Sequence, residues 1–306
     1  MSRGRKKKGN LIDGVLLLDK PGGMTSNRAL QRCKHLIFAQ KGGHTGALDP
    51  LATGLLPLCF GQATKVSSFL LGSDKTYEVS VTLGQVTDTG DADGEVIHTR
   101  PVDVSESDLK QVIASFIGEY DQVPPMYSAL KVNGQPLYKL ARQGIVIERK
   151  SRRVTASDIR FNSFIGGIFS FEVDCSSGFY VRSLVEDIGE KLACGAHVKT
   201  LRRTRIERLY IEDSITLHDF EALGETDSRI AKLVAADTMI TRFVAIELDD
   251  WQTTELNFGR AVQLAEIPPQ HEDDDWFRLY GPQNRFLGLG KINEQGLLVP
   301  KRLFVQ

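Results

Sequence analysis

Between Lys41 and Gly61 the chain sets Gly42, Gly43, Gly46, Gly54 and Gly61, with Pro50 and Pro57, among small and polar residues. No helix runs through such punctuation, so the stretch reads as a shaped loop entering the strand-like Leu55–Phe60. Asp49 precedes Pro50, which steers its backbone away from the helical region. Gly46 and Gly54 allow tight bends on either side. The result is a carboxylate presented on a fixed loop, the kind of segment that carries function. An Asp-Pro pair that merely starts a turn accounts for the same local sequence.

The flanking elements follow from periodicity. Gly14–Asp19 is a buried-strand run closed by the Lys20–Gly23 turn. A helix follows, capped by Ser26 or Asn27, with Leu30, Cys33, Leu36 and Ile37 on one face. Residues 75–83 alternate as a half-buried strand, and Asp88–Glu95 is a loop. Ser105 with Asp108 forms a capping box opening a helix through Phe116. Residues 122–153, with Pro124-Pro125 and Asn133-Gly134, have weak periodicity and read as a projecting loop or finger. Strands near 154–162 and 168–175 lead to a helix from about 180 to 194, with Gly195 as its C-cap. His197–Tyr210 is strand-like and rich in arginine. After a further helical region, residues 249–306 read as short strands ending in a hairpin around Asn293–Gly296.

At 306 residues the chain exceeds the roughly 250 at which single cores stop growing, so a large and a small domain are expected, with a boundary near 245. The fold class is α/β (α+β): an α/β body, residues 11–245, and a small β-rich appendage, residues 250–306. No run approaches the about 18 apolar residues of a membrane span, and no secretory signal follows the basic start, so a cytoplasmic protein without membrane contact is expected. Cys33, Cys59, Cys175 and Cys194 never form a C-x-x-C pair and read as reduced core residues. The net charge of −1 argues against indiscriminate coating of nucleic acid but leaves room for local basic surfaces. Arg3, Arg5, Lys6, Lys7 and Lys8 make a basic arm over residues 1–10, either a disordered tail or a phosphate contact, and Glu272–Asp275 is an acidic tract.

GVLLLDKPGGMTSN, GGHTGALDPLATGLLPLCFGQATK, DKTYEV, CSSGFYVRSL and CGAHVKTLRRT resemble, in order, the motifs of the TruB family of tRNA pseudouridine synthases. The resemblance runs from about residue 11 to 218, and the C-terminal hairpin is similar to the family's PUA-like RNA-binding domain. It implies a mixed sheet flanked by helices and a cofactor-free, metal-free isomerase. Such an enzyme flips uridine 55 out of the tRNA T-loop, breaks its N1–C1′ bond and rejoins the base through C5. Asp49 matches the family's essential aspartate. Tyr77 matches a tyrosine that stacks on the base and is implicated in removing the C5 proton. Arg182 matches the motif arginine. His44 matches the histidine under the flipped nucleotide, and Lys20, Leu201, Tyr180 and Gly46 match further substrate-contacting positions. The implied partner is tRNA, met at its T-arm, with the acceptor stem within reach of the C-terminal domain and the protein a monomer.

Local physics bears on these residues independently. Arg182 falls in the first turn of its helix, where the dipole disfavours a cation, so a carboxylate partner is wanted; Asp49, in fork geometry, is the candidate, and a solvated surface arginine is the alternative. Tyr77 reads equally as a core-packed strand tyrosine. The Lys199–Arg208 run is either a solvated strand face or a phosphate-contacting surface. A calcium loop at Thr89–Gly94 fails because Thr89 and Arg100 occupy ligand positions one and twelve. A phosphate loop fails for want of Gly-Lys-Ser/Thr after Gly46. A glycoside hydrolase would need a second carboxylate. A non-catalytic RNA-binding module would not require Asp49, Tyr77 and Arg182 together.

Overall fold

A computed structural model describes residues 9–132, 134–269 and 275–304. The basic arm Arg3–Lys8, Asn133 and the acidic residues Glu272–Asp274 lie outside the described residues.

β1 (Gly14–Lys20) is buried almost throughout and stops at the Pro21–Gly23 turn. α1 (Ser26–Leu36) is capped by Thr25, one residue ahead of the expected Ser26 or Asn27. The Thr25 hydroxyl accepts from the Arg28 amide at 3.2 Å, which leaves Ser26 to bond the Asp49 loop. The Lys41–Gly61 stretch is not all loop. Gly42–His44 forms β2, laid antiparallel on β3 (Thr53–Phe60), so the loop proper runs from Thr45 to Ala52. Two glycines give no strand signal, and pairing with β3 makes the strand.

α2 (Ser67–Leu71) leads into β4 (Lys75–Leu83), and the Asp88–Glu95 loop closes a small hairpin of β5 (Gln85–Thr87) and β6 (Val96–Thr99). α3 (Glu106–Ala114) opens on the Ser105–Asp108 capping box. Beyond β7 (Gly118–Gln122), the segment with weak periodicity holds two short strands, β8 (Lys131–Val132) and β9 (Gln135–Pro136), and one helical turn, α4 (Leu137–Ala141). Its first residues, Pro124, Pro125 and Ser128, are buried; Arg142–Val146 is exposed.

β10 (Arg152–Ile165) and β11 (Ile168–Cys175) form a long hairpin. α5 (Val181–Lys191) ends short of the expected 194, because Ala193 (φ 59) and Gly195 (φ 73) both take the left-handed turn. β12 (Ala196–Ile206) turns through Glu207 (φ 53) into β13 (Leu209–Tyr210), and β14 (Ile215–Thr216) precedes α6 (Leu217–Ala222) and α7 (Thr226–Ile230). The last part holds β15 (Val244–Glu247), α8 (Asp250–Asn257), β16 (Phe277–Gly281), β17 (Arg285–Ile292) and β18 (Leu298–Leu303). α8 corrects the all-strand reading of residues 249–306. It buries only Thr253 and Leu256, too few for a visible period, and is held by an Asp249–Gln252 capping box.

Among the described residues the main sheet has ten strands, with the path β14-β1-β3-β12-β4-β11-β10-β7, β2 beside β3 and β13 beside β12. On one face Val79, Val81, Phe169, Phe171, Val173 and Val198 pack against Leu30 and Cys33 of α1, Leu109 and Ile113 of α3, and Leu184, Val185 and Ile188 of α5. Each such fully buried side chain contributes about 1.5–3 kcal/mol. All four cysteines are free and buried.

The small sheet, β15-β16-β17-β18, has its own core around Leu256, Phe277, Leu279 and Leu298. This is the expected β-rich C-terminal unit, and β15 joins it across the boundary expected near 245. A second core, with Val15, Leu17, Leu55, Val66, Leu70, Phe243 and Leu289, joins the two sheets. There Lys65 Nζ donates to the Leu303 carbonyl at 2.6 Å, and Arg302 returns a bond to the Lys65 carbonyl at 2.5 Å. The Arg302 guanidinium also lies over the rings of Phe69 and Trp276. No helix among the described residues is long and apolar enough to cross a membrane.

Candidate active site

Asp49 stands where three chain segments meet. Leu48 is held on both sides by Ser26, whose hydroxyl accepts from the Leu48 amide at 2.7 Å and donates to its carbonyl at 3.1 Å. The Pro50 carbonyl accepts from the Gly23 amide at 2.9 Å. Lys20, fully buried, turns its ammonium onto the carbonyls of Pro21 and Met24 at 2.8 Å and reaches Pro50 at 3.4 Å. Desolvation lowers the Lys20 ammonium to about 8, with Asp49 pulling the other way. The turn after β1 thereby pins the Asp49 loop from beneath.

Arg182 approaches from the N-terminus of α5, with its side chain only 5% exposed. Its Nη2 lies 2.9 Å from Asp49 Oδ2 and donates to the Tyr127 carbonyl at 2.7 Å. Its Nη1 donates to the Thr89 carbonyl at 2.8 Å and lies 3.7 Å from Asp91 Oδ2. The expected partnership with Asp49 is present, but the expected fork is not. The guanidinium is shared between two carboxylates and two carbonyls, because α5 presents it to the Thr89–Asp91 loop as well. Asp91 is itself fixed: its Oδ1 accepts from the Thr89 hydroxyl at 2.7 Å and the Asp93 amide at 3.2 Å. Burial raises the Asp49 carboxyl above its ordinary value, and Arg182 opposes the rise. The Asp49 side chain is 39% exposed, so it stays reachable from outside.

Tyr77 is 9% exposed in β4 and packs in the main core. Burial raises its phenol, while Arg203, its direct partner across the β12–β4 ladder, works to lower it. His44 ends β2; burial and the charge of Arg203 push its imidazole toward the neutral form, and its Nδ1 has no partner. Gly46 takes φ +103, a conformation that side-chain-bearing residues rarely adopt. Tyr180 caps α5, and Gln122 bonds both its amide and its carbonyl, at 2.8 and 3.0 Å. Leu201 lines a cavity of about 640 Å³ with Leu51, Asp93, Lys199 and Arg202.

The structure therefore brings Asp49, Arg182 and Lys20 into one cluster, with Tyr77, His44 and Gly46 grouped around Arg203. Sequence reasoning missed Asp91 and Arg203. Asp91 sits in a loop considered for calcium, and its one informative signal was an acidic residue between glycines with no metal to hold. Arg203 lay in a run of arginines that gives no sign of which one turns inward.

Three family models match the chain: the TruB family pseudouridylate synthase N-terminal domain at residues 34–181, the tRNA pseudouridylate synthase B C-terminal domain at 182–240, and the Pseudouridine synthase II TruB C-terminal region at 245–304. Proteins called tRNA pseudouridine synthase B from Shewanella frigidimarina and Vibrio vulnificus are each 47% identical over 311 residues, covering 98% of this chain and 97% and 98% of theirs. A chain of a Cbf5-Nop10-Gar1 complex superposes with a TM-score of 0.73 at 27% identity, covering 95% of this chain and 85% of its own. Fold and matches together define an isomerase that makes pseudouridine. The chain belongs to the TruB family of these enzymes.

Proposed function

We propose that the chain converts uridine 55 in the T-loop of tRNA to pseudouridine, with Asp49 as the essential carboxylate. The observation that carries the reading is the Arg182–Asp49 contact at 2.9 Å, a buried guanidinium orienting a carboxylate that remains open to solvent on a loop fixed from three sides. The tRNA assignment is supported by the names of relatives that match over nearly the whole length of both chains.

A uridine inside a folded loop is inaccessible until it leaves the stack, so the substrate base flips into the site. Tyr77 offers it an aromatic platform and, once C5 is bonded to C1′, removes the C5 proton. An ionised Asp49 serves either as nucleophile at C1′ or as base toward a sugar proton. His44 fills the space the nucleotide leaves, Leu201 and Gly46 border the base, and Tyr180 and Lys20 hold the walls. No cofactor is needed, because the bond broken and the bond formed lie within one nucleotide. Residues 11–245 form the catalytic domain and residues 122–153 close over the T-arm. Residues 250–306 are the PUA-like part that meets the acceptor stem. The enzyme works in the cytoplasm as a monomer.

The test is to incubate the protein with an unmodified T-arm hairpin and map pseudouridine by chemical labelling. Asp49→Asn should abolish product while leaving RNA affinity within about tenfold. Product formation by that variant, read by tritium release from 5-tritiated uridine, would remove Asp49 from the mechanism.

A further inference from the structure

Arg203 is 1% exposed, among the largest fully buried side chains in the protein. Its Nε donates to the Leu55 carbonyl at 2.8 Å, and among the described residues its Nη2 has no hydrogen-bond partner and no carboxylate pairs with it. An arginine stays charged. Burying a charge without a counter-ion costs several kcal/mol, and an apolar side chain of similar volume in its place would commonly be neutral or stabilising. Stability alone therefore gives no account of it.

The Arg203 backbone packs closely on β3, and its side chain reaches the loop that carries Asp49. Gly54 takes φ +103, and a Cβ there would stand 2.2 Å from the Arg203 carbonyl oxygen. A Cβ on Gly46 would stand 4.0 Å from Nη1, in the loop that carries Asp49. Tyr77 stands directly across the β12–β4 ladder from Arg203, and the charge of Arg203 is felt by Lys75 on β4, Cys175 on β11, His44 on β2 and Lys20 on β1. Its charge pushes His44, Lys20 and Lys75 toward their neutral forms. The charge of Arg203 thus sits beside Tyr77, the tyrosine on which the base stacks, with no carboxylate of the described residues paired to it.

The reaction generates a matching anion. When N1–C1′ breaks, the bonding pair stays on N1 and spreads onto O2 and O4 of the uracil. This holds whether Asp49 meets the deficit at C1′ by bonding to it or by taking a sugar proton. C5 then bonds to C1′, the C5 proton leaves, N1 gains a proton, and the net change is isomerisation. We propose that Arg203 is a further functional residue of this site, whose buried guanidinium, paired with no carboxylate, supplies the positive charge that stabilises the detached uracil anion. The inference rests on the pseudouridine reading above. Preorganised charge of this kind acts most strongly where water is excluded.

The test uses leaving-group chemistry. Fluorine at C5 withdraws electrons and stabilises the uracil anion by itself, so a 5-fluorouridine hairpin needs the guanidinium less. Single-turnover loss of the N1-linked nucleotide is measured for uridine and 5-fluorouridine hairpins with wild type and Arg203→Met. Arg203→Met should slow uridine cleavage by about a hundredfold and 5-fluorouridine cleavage by about tenfold or less. Should the methionine variant fail to fold, Arg203→Lys, which keeps the charge but gives up the planar fork, takes its place with the same sign at smaller size. Equal losses on both substrates overturn the inference, since a structural defect does not sense the leaving group. If wild type makes no pseudouridine from the uridine hairpin, the function itself is wrong and the inference falls with it.

Discussion

At the residue scale, the proposed chemistry turns on keeping Asp49 ionised in a place that resists ionisation. Its carboxyl is raised by burial, so the fold favours the protonated form more than water does, and the reactive anion is lost as pH falls through the raised value. The acid limb of kcat/KM should accordingly lie above the ordinary carboxylate range of about 4. A pH profile of kcat/KM on the hairpin checks this, and activity undiminished down to pH about 4 would contradict it. The Asp49–Arg182 contact was legible in the sequence, because a cation in the first turn of α5 wants a carboxylate partner and the motif resemblance pointed to Asp49. Asp91 and Arg203 were not. Their significance comes from partners brought together by β12 and α5, and nothing in Asp88–Glu95 or Lys199–Arg208 states which side chain turns inward.

At the element scale, strands and capped helices were visible wherever one face is buried. β1 was readable from its continuous apolar run, β4 from alternation, and α3 from the capping box of Ser105 and Asp108. β2 and α8 were hidden, the first because Gly42-Gly43 has no strand preference of its own, the second because only two of its residues are buried. Gly54 shows how tightly the site's frame is built. β3 and β12 run parallel there, with Gly54 beside Arg203. Gly54→Ala combines an unfavourable φ with a backbone clash and should destabilise the fold by at least about 2 kcal/mol, lowering the urea midpoint. An unchanged midpoint would show that β3 shifts at little cost.

At the scale of the whole molecule, the two sheets are joined by a shared core as well as by the Lys65–Leu303 and Arg302–Lys65 bonds. Leu289, on β17, is fully buried in that core beside residues of β1, β3 and α2. Leu289→Ala should cost about 2–5 kcal/mol and lower the unfolding temperature of the full chain as one transition. A separate early transition confined to the small sheet would show instead that the two parts melt independently. A separate β-rich sheet at the C-terminal end was legible from the change of pattern there. The joint between the two sheets was not, because its residues are scattered over β1, β3, α2, β12, β13, β17 and the turns between them.

β12 lies between β3 and β4, so the two strands nearest to it in the sheet are far earlier in the chain. β1 and β3 pair early in the chain, whereas β3, which follows the Asp49 loop, and β4, which carries Tyr77, are joined only through β12. Closing such distant pairs is slow compared with making local contacts. The sheet that frames the site is therefore completed only by a strand made long after the loop it supports.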